Sequence, residues 1–240
     1  MSASRVLKSG YVSLMRGAKG AASATGVLAA LDRRLPDRRA HWLRSLFAIH
    51  DIDAMVALDV PWWSYDAIDA VEAFLADRPK ARVFEYGSGA STVWAARRAA
   101  RVISVEHDAG WHPIVARRLA EYDNADLVLI APDTEVDAGY LSQKPGSKGQ
   151  SFRNYVTAIE RQDGPFDLIV IDGRARVACL GQALGHLAPG GMIVFDNSGR
   201  EEYRAALAGV AGELRTLRGR VPSLPYPDQT TLLRPGQSGE

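Results

Sequence analysis

The sequence predicts an α/β protein with a doubly wound, mostly parallel sheet and a helical N-terminal extension. Two observations predict this fold class. From residue 81 onward, short β-branched or apolar runs alternate with runs of helical periodicity, which is typical of parallel strands joined by helical crossovers. Before residue 80, apolar residues recur at helical spacing. We therefore divide the chain into a helical extension (1–80), an α/β domain (81–235) and a polar tail (236–240).

The predicted elements follow one another along the chain. Apolar residues at helical spacing predict N-terminal helices near 28–35, 42–50 and 67–75. Five parallel strands are predicted at 82–86, 102–106, 125–130, 166–172 and 192–196, with helices at 90–100, 111–122, 152–161, 177–187 and 201–207. Residues 213–218 and 230–234 are expected to form a closing antiparallel pair.

The composition excludes several classes of protein. Of 240 residues, 47% are hydrophobic and 24% are charged, as in a folded globular chain. A single cysteine, Cys179, excludes a disulfide framework or a Cys-rich zinc site and favours a reducing, cytoplasmic location. No apolar stretch near the N-terminus reaches the ~18–20 residues that a membrane span needs.

The near-neutral net charge hides an asymmetry between the two parts of the chain. Residues 1–50 contain nine Lys or Arg and two Asp, whereas the rest contains 20 basic and 26 acidic residues. The acidic body argues against nucleic-acid binding, because phosphates require a basic surface. The basic segment either contacts an anionic membrane surface or an acidic protein, or is a solvated helical face. The sequence also leaves association into a homo-oligomer open.

A glycine-containing loop follows the first predicted strand, in the run Glu85-Tyr86-Gly87-Ser88-Gly89-Ala90-Ser91-Thr92. Glycines let the backbone approach a ligand, and the start of the next helix offers free amide donors. Thr92 stands where a dinucleotide-binding fingerprint has its third glycine, which disfavours an NAD enzyme. Glu85 suits a cationic amino group, and Glu106, 19 residues after Gly87, can accept both hydroxyls of a ribose.

Four elements together resemble the class I S-adenosylmethionine-dependent methyltransferases: the glycine loop, Glu106, the strand at 166–172 and the turn at 187–191. The resemblance covers about residues 80–235 and implies a Rossmann-like, seven-stranded sheet that binds S-adenosylmethionine. It implies that Glu85, Gly87 and Gly89 surround the methionine part of the cofactor. Ser91 or Thr92 would face the cofactor carboxylate, and Glu106 would hold the ribose. The neighbouring Ser88 and His107 complete the expected cofactor contacts.

Two adjacent predicted strands end in oxygen-bearing side chains. Asp172 ends the fourth strand and Asp196-Asn197 the fifth, a set that suits Mg²⁺ or another hard divalent cation. The arrangement resembles the metal-dependent catechol-type O-methyltransferases, whose metal binds both substrate hydroxyls. Against a metal, Ala175 occupies the position of that family's lysine base, and Asn197 and Ser198 could instead cap the next helix.

Without a metal, Asp172 is the first candidate for a general base and His107 the second. Arg174 and Arg176 cannot act as bases at neutral pH, but they could hold an anionic group of a substrate. The loop at 133–151 is either a lid or a mobile loop. The aromatic residues Trp62, Trp63 and Tyr65 either roof an apolar substrate or pack the N-terminal helices.

The leading functional hypothesis is a methyltransferase that acts on an oxygen of a small molecule or saccharide. A second hypothesis is a non-catalytic cofactor-binding module that docks through its basic N-terminal segment. A third is an aminopropyl-transferring relative. The helix start at Ser91 and Thr92, which can hold a carboxylate, argues against this last reading, as does the lack of a glycine-rich acidic run after the first strand.

Overall fold

A computed structural model describes residue 15 and residues 17–49, 51–144 and 146–236 of the chain. Arg5, Lys8 and Arg16, which contribute to the basic N-terminal count, lie outside the described residues, as does most of the predicted polar tail. Among the described helices, none combines the length and hydropathy of a membrane-spanning segment.

In the described part of the chain, seven strands form one sheet in the order β3-β2-β1-β4-β5-β7-β6. They are β1 (Arg82–Tyr86), β2 (Arg101–Glu106), β3 (Ala125–Leu129), β4 (Phe166–Ile171), β5 (Leu187–Asp196), β6 (Gly212–Gly219) and β7 (Asp228–Pro235). The first five are parallel, and β7 runs antiparallel to both β5 and β6. This topology confirms the predicted fold class. The strand order reverses between β1 and β4, which is where ligands bind in open α/β sheets.

From β1 onward, helices alternate with the parallel strands, as the sequence predicts. Residues 17–24 are helical, and the helices that follow are α1 (Val27–Asp32), α2 (Arg38–Ser45), α3 (Ile52–Ala57), α4 (Tyr65–Ala76), α5 (Ala90–Ala96), α6 (His112–Leu119), α7 (Arg153–Val156), α8 (Arg176–His186) and α9 (Glu201–Ala208). Single 3₁₀ turns lie at Leu46–Ala48, Ala138–Tyr140 and Thr157–Arg161.

Three local predictions differ from the structure. The helix predicted at 90–100 ends at Ala96, and the Asn124 amide binds the carbonyl oxygens of Ala96 and Ala99 just beyond this end. The turn predicted at 189–191 lies within β5, because Leu187 already pairs with Phe166 of β4. The predicted cap of α9 at Ser198 does not form, because this hydroxyl binds residues of β7 instead.

Two hydrophobic clusters cover the two faces of the sheet. On one face, helices α3 and α4 contribute Met55, Val71 and Phe74, which belong to one cluster with Val83 and Val170 of the strands. On the other face, α7 and α8 pack against the sheet in a second cluster. Residues 52–80, predicted as part of an extension, therefore form a layer of the α/β domain and share its core.

Candidate functional site

A cavity of about 660 Å³ opens at the carboxyl ends of β1, β2, β4 and β5. Ligand-binding pockets commonly have volumes of about 300–1,000 Å³. The walls come from the glycine loop after β1, the residues that follow β2, β4 and β5, one residue of the loop at 133–151, and the N-terminal helical region. The cavity therefore lies where the sequence predicts ligand binding.

The glycine loop forms the floor of the cavity. Gly87 has φ +95°, and a Cβ there would lie 2.7 Å from the Cα of Gly173. Only glycine allows the loop after β1 to touch the loop after β4 in this way. The Gly87 amide donates to the Val105 carbonyl at 2.9 Å, and the Asp172 amide donates to the Tyr86 carbonyl at 2.9 Å. The first bond ties the glycine loop to β2, and the second ties the loop after β4 to the end of β1.

Glu85 lies in a buried cluster beneath this loop. Its carboxylate accepts hydrogen bonds from the hydroxyls of Ser91, Thr92 and Ser104. Burial raises the pKa of Glu85 to about 7, although these three hydrogen bonds oppose the effect. Glu85, Ser91 and Thr92 are not among the residues that line the cavity. The structure thus gives them the role of fixing the loop and the start of α5, and their contact with a cofactor stays a prediction.

Glu106 lines the cavity at the end of β2. One carboxylate oxygen lies 3.1 Å from the Ser88 amide, and the other lies 2.7 Å from the His107 amide and 2.8 Å from the Asp108 amide. Burial by itself would raise the pKa of Glu106, but hydrogen bonds from His107 and Asp108 outweigh it and the pKa is lowered. The cavity therefore presents an ionised carboxylate at neutral pH, which suits hydroxyl donors.

The side chains of Asp172, Asp196 and Asn197 line the same cavity, so the predicted meeting of the two strand ends is confirmed. The buried Arg176 joins these ends. Its guanidinium donates to the Asp172 carboxylate at 2.6 Å, the Asp172 carbonyl at 2.7 Å and the Asp196 carbonyl at 2.5 Å. Arg176 is therefore a structural clamp and not the free substrate contact that the sequence suggested.

These residues do not fit the divalent cation that the sequence leaves open as one alternative. Arg176 already supplies a positive charge at Asp172, and burial together with the Asp172 charge raises the pKa of Asp196 to about 8. Asp196 would have to release this proton to bind a cation. The Asn197 side chain is engaged by Asp228 and Arg200. Among the described residues, no group of three or more His, Cys, Asp or Glu is placed to hold a metal.

Lys144 is a cavity residue that the sequence did not single out as functional. It lies on the loop at 133–151, whose base is held by the Asp133 carboxylate, which accepts from the Ser151 hydroxyl and the Asn154 amide. Burial lowers the pKa of Lys144 to about 7, with Arg176 adding to the effect and Asp172 opposing it. No spacing in the sequence indicated Lys144, because only the folded loop brings it to the cavity.

The N-terminal helical region closes the cavity from above. The Trp62 indole lines the cavity and donates to the Ser223 hydroxyl at 2.6 Å, while the Trp42 indole donates to the Leu224 carbonyl at 3.1 Å. Trp63 and Tyr65, in contrast, are buried in the core. The packing role predicted for the aromatic run is therefore confirmed for Trp63 and Tyr65, whereas a role of Trp62 in covering an apolar substrate stays a prediction.

Residues 84–198 match a family model described as a methyltransferase domain. The matched stretch contains the whole series of strand ends from the glycine loop to Asn197. No curated protein sequence matches the chain.

Several solved structures resemble the fold. The O-methyltransferase TomG from Streptomyces achromogenes, involved in tomaymycin synthesis and solved with S-adenosylmethionine, gives a TM-score of 0.54 at 19% identity, covering 72% of this chain and 81% of that one. A methyltransferase-like protein from Silicibacter pomeroyi gives 0.50 at 22% identity, covering 72% and 87%. An rRNA methylase from Streptococcus thermophilus gives 0.51 at 13% identity, covering 70% and 96%. At these identities the likeness is one of fold.

Proposed function

Since the chain has the fold of the class I S-adenosylmethionine-dependent methyltransferases, with a methyltransferase domain at residues 84–198, we propose that it binds S-adenosylmethionine and transfers the methyl group to an oxygen of a small molecule or saccharide. The observation that carries the proposal is the pairing of the Gly87 loop with the ionised Glu106 on one cavity. TomG, which is similar in fold, is described as an O-methyltransferase, which supports oxygen as the acceptor atom.

The residues of the cavity fit such a cofactor. Glu106 would accept hydrogen bonds from the ribose hydroxyls, and the close contact of Gly87 with Gly173 leaves the loop free of side-chain bulk where the methionine part would lie. The cofactor supplies an electrophilic methyl group on a sulfonium sulfur. The chain supplies the positioning of both reactants, which alone accelerates such a transfer strongly.

The acceptor hydroxyl must lose its proton, and Asp172 is the proposed base. It lines the cavity, and its ion pair with Arg176 at 2.6 Å fixes the orientation of its carboxylate. His107 is the weaker candidate, because its Nδ1 lies 2.7 Å from Glu106 and is thereby directed to the ribose end. In Asp172→Asn, kcat is expected to fall by about a hundredfold or more, because the group that accepts the hydroxyl proton is lost. An unchanged kcat would exclude this role.

Calorimetry with S-adenosylhomocysteine tests the cofactor assignment. Wild-type protein is expected to bind it, and Glu106→Gln is expected to bind it about tenfold more weakly or worse, because an ionised acceptor is lost. Glu121→Gln is a matched control, since Glu121 is exposed and does not line the cavity. No binding by the wild type at millimolar concentration would contradict the proposal.

The acceptor atom requires a separate experiment. Matched hydroxyl and amine acceptors are incubated with S-adenosylmethionine, and products are identified by the mass of one added methyl group. We expect methylation of hydroxyl compounds with full activity in EDTA, because the Asp172, Asp196 and Asn197 set does not suit a divalent cation. Activity on amines alone would contradict the oxygen assignment. Loss of activity in EDTA would instead indicate that the reaction depends on a metal.

A further inference from the structure

Two basic side chains, Lys144 and Arg174, line the end of the cavity beside β4 and β5. We propose that Lys144 and Arg174 bind an oxyanion group carried by the methyl acceptor, either a carboxylate or a tetrahedral phosphate or sulfate. This inference rests on the proposed function, since it assigns the acceptor to this end of the same cavity. Both side chains are half-buried and line the cavity.

The acids nearby do not neutralise these two cations. Asp172 forms its ion pair with Arg176 at 2.6 Å. Within the described residues, neither Lys144 nor Arg174 takes part in an ion pair. The described residues thus give neither cation an ion-pair partner at this end of the cavity.

The cations are also close enough to affect one another. After burial, the charges of Arg176, Arg174 and Arg200 all lower the pKa of Lys144, and Asp172 is the acid that opposes them. Holding several like charges around a half-buried cavity is unfavourable unless an anion compensates them. A bound oxyanion would relieve this repulsion, and it would raise the pKa of Lys144 in turn.

The geometry of Arg174 suits an oxyanion. Its Nε donates to the Ser147 hydroxyl at 3.1 Å, which holds the guanidinium against the loop that carries Lys144. A guanidinium fixed through Nε keeps its terminal N–H groups for a second acceptor, and their planar fork matches carboxylate and phosphate oxygens. Lys144, which lies on the same loop as Ser147 and lines the same cavity, adds the three N–H donors of a mobile ammonium. One anion could therefore be held from two sides.

The rival explanation is that the two cations hold the carboxylate of the cofactor itself. The two explanations predict different results for S-adenosylhomocysteine, which keeps that carboxylate. If the acceptor supplies the anion, removing either cation leaves the affinity for S-adenosylhomocysteine unchanged. If the cofactor supplies it, the same variants bind S-adenosylhomocysteine more weakly.

The experiment measures binding of sulfate and of benzoate to protein saturated with S-adenosylhomocysteine, by calorimetry at constant ionic strength in chloride. Neither probe changes charge near neutral pH. The wild type is expected to bind one or both, and Lys144→Met and Arg174→Gln are expected to weaken that binding by about tenfold or more. Lys148→Met and Arg117→Gln serve as matched controls, because both residues are exposed and outside the cavity lining.

Each outcome has a defined meaning. Sulfate binding alone supports a phosphate- or sulfate-bearing acceptor, and benzoate binding supports a carboxylate. Wild-type protein that binds S-adenosylhomocysteine but neither probe overturns the inference and leaves the proposed function standing. Loss of S-adenosylhomocysteine affinity in both variants assigns the cations to the cofactor and also overturns it. Failure of the wild type to bind S-adenosylhomocysteine contradicts the proposed function and, with it, the acceptor site.

Discussion

The guanidinium of Arg176 is fully buried and joins the carboxyl ends of β4 and β5. Substitution Arg176→Met keeps much of the side-chain volume but removes every donor. It leaves the Asp172 carboxylate and the carbonyls of Asp172 and Asp196 without their partner. Removing one member of a buried ion pair typically costs about 3–5 kcal/mol. We expect the free energy of unfolding, measured by urea titration, to fall by a comparable amount.

The control for this prediction is Arg117→Met, because Arg117 is exposed on α6. Exposed substitutions usually change stability by less than about 0.5 kcal/mol. If the two variants unfold at the same urea concentration, Arg176 does not act as the clamp that its contacts indicate.

Glu85 predicts a pH dependence of stability. Its pKa is raised from 4.5 to about 7 in the folded protein, first by burial. Below pH 4.5 the carboxyl is protonated in both states, and above about 7 it is ionised in both. Between these values only the unfolded chain loses the proton, so unfolding becomes easier as the pH rises. The difference between the two pKa values corresponds to a loss of at most about 3 kcal/mol in the free energy of unfolding over this pH range.

Glu85→Gln removes this ionisation while keeping the shape of the side chain. We expect the stability of the wild type relative to Glu85→Gln to fall as the pH rises from about 4.5 to about 7 and then to level off. Urea unfolding of both proteins over this range measures the difference. Parallel stability curves for the two proteins would show that Glu85 keeps an ordinary pKa.

The loop at 133–151 acts as one element that carries Lys144 and contacts Arg174 through Ser147. Its base depends on Asp133, which accepts from the Ser151 hydroxyl at 2.9 Å and from the Asn154 side-chain amide at 2.9 Å. Asp133→Ala is expected to speed hydrogen exchange across residues 134–150, because the loop loses these anchors. Sulfate or benzoate binding should weaken, while binding of S-adenosylhomocysteine persists.

Glu135→Ala is the control within the same loop, since the Glu135 side chain is exposed. Equal exchange rates in the two variants would show that Asp133 does not hold the loop.

The strands could be predicted from the sequence because each is a short apolar run bounded by polar residues. The predicted strands also located the site, because Glu106, Asp172 and Asp196 lie at strand ends that share one edge of a parallel sheet. The bounds of β5 were less predictable, since its first residues are a Pro-Gly-Gly run that joins the strand through pairing with β4. The turn propensity of this Pro-Gly-Gly run instead predicted that the strand begins after it.

The remaining walls of the site could not be predicted, because they depend on contacts between distant parts of the chain. The Trp62 indole reaches Ser223 across 161 positions, and Ser45 accepts from the Ser223 amide across 178. Neither contact leaves a periodic signal in the sequence. A related limit applies to the metal alternative: the pattern located Asp172 and Asp196, but only packing reveals that Arg176 lies between their strand ends.

The charge asymmetry of the whole molecule is partly cancelled within the fold. Lys19 pairs with Asp51 at 2.9 Å, Arg38 with Asp69 at 2.7 Å, and Arg44 with Asp32 at 2.7 Å. These pairs lie at the surface and each contributes at most about 1 kcal/mol to stability. Their larger effect is on the surface charge, because the paired cations attract an external anionic surface less strongly than the sequence count suggests.

The proposed contact of residues 1–50 with an anionic membrane surface therefore depends on the unpaired arginines. Among the described residues of this segment, Arg33, Arg34 and Arg39 are exposed and form no ion pair. Each cation near anionic headgroups contributes about 1 kcal/mol to membrane binding. Replacing all three with Gln is thus expected to reduce pelleting with phosphatidylserine vesicles by about tenfold or more. High salt should also weaken the binding of the wild type to the vesicles, because salt screens these charges.

A triple variant of Arg117, Arg161 and Arg215 removes the same charge from exposed positions of the α/β domain and controls for net charge. If the local cluster directs the contact, this variant pellets as the wild type does. Equal losses in the two triple variants would mean that only the total charge matters. Equal pelleting of the wild type and the Arg33, Arg34 and Arg39 variant would exclude these three arginines from membrane contact.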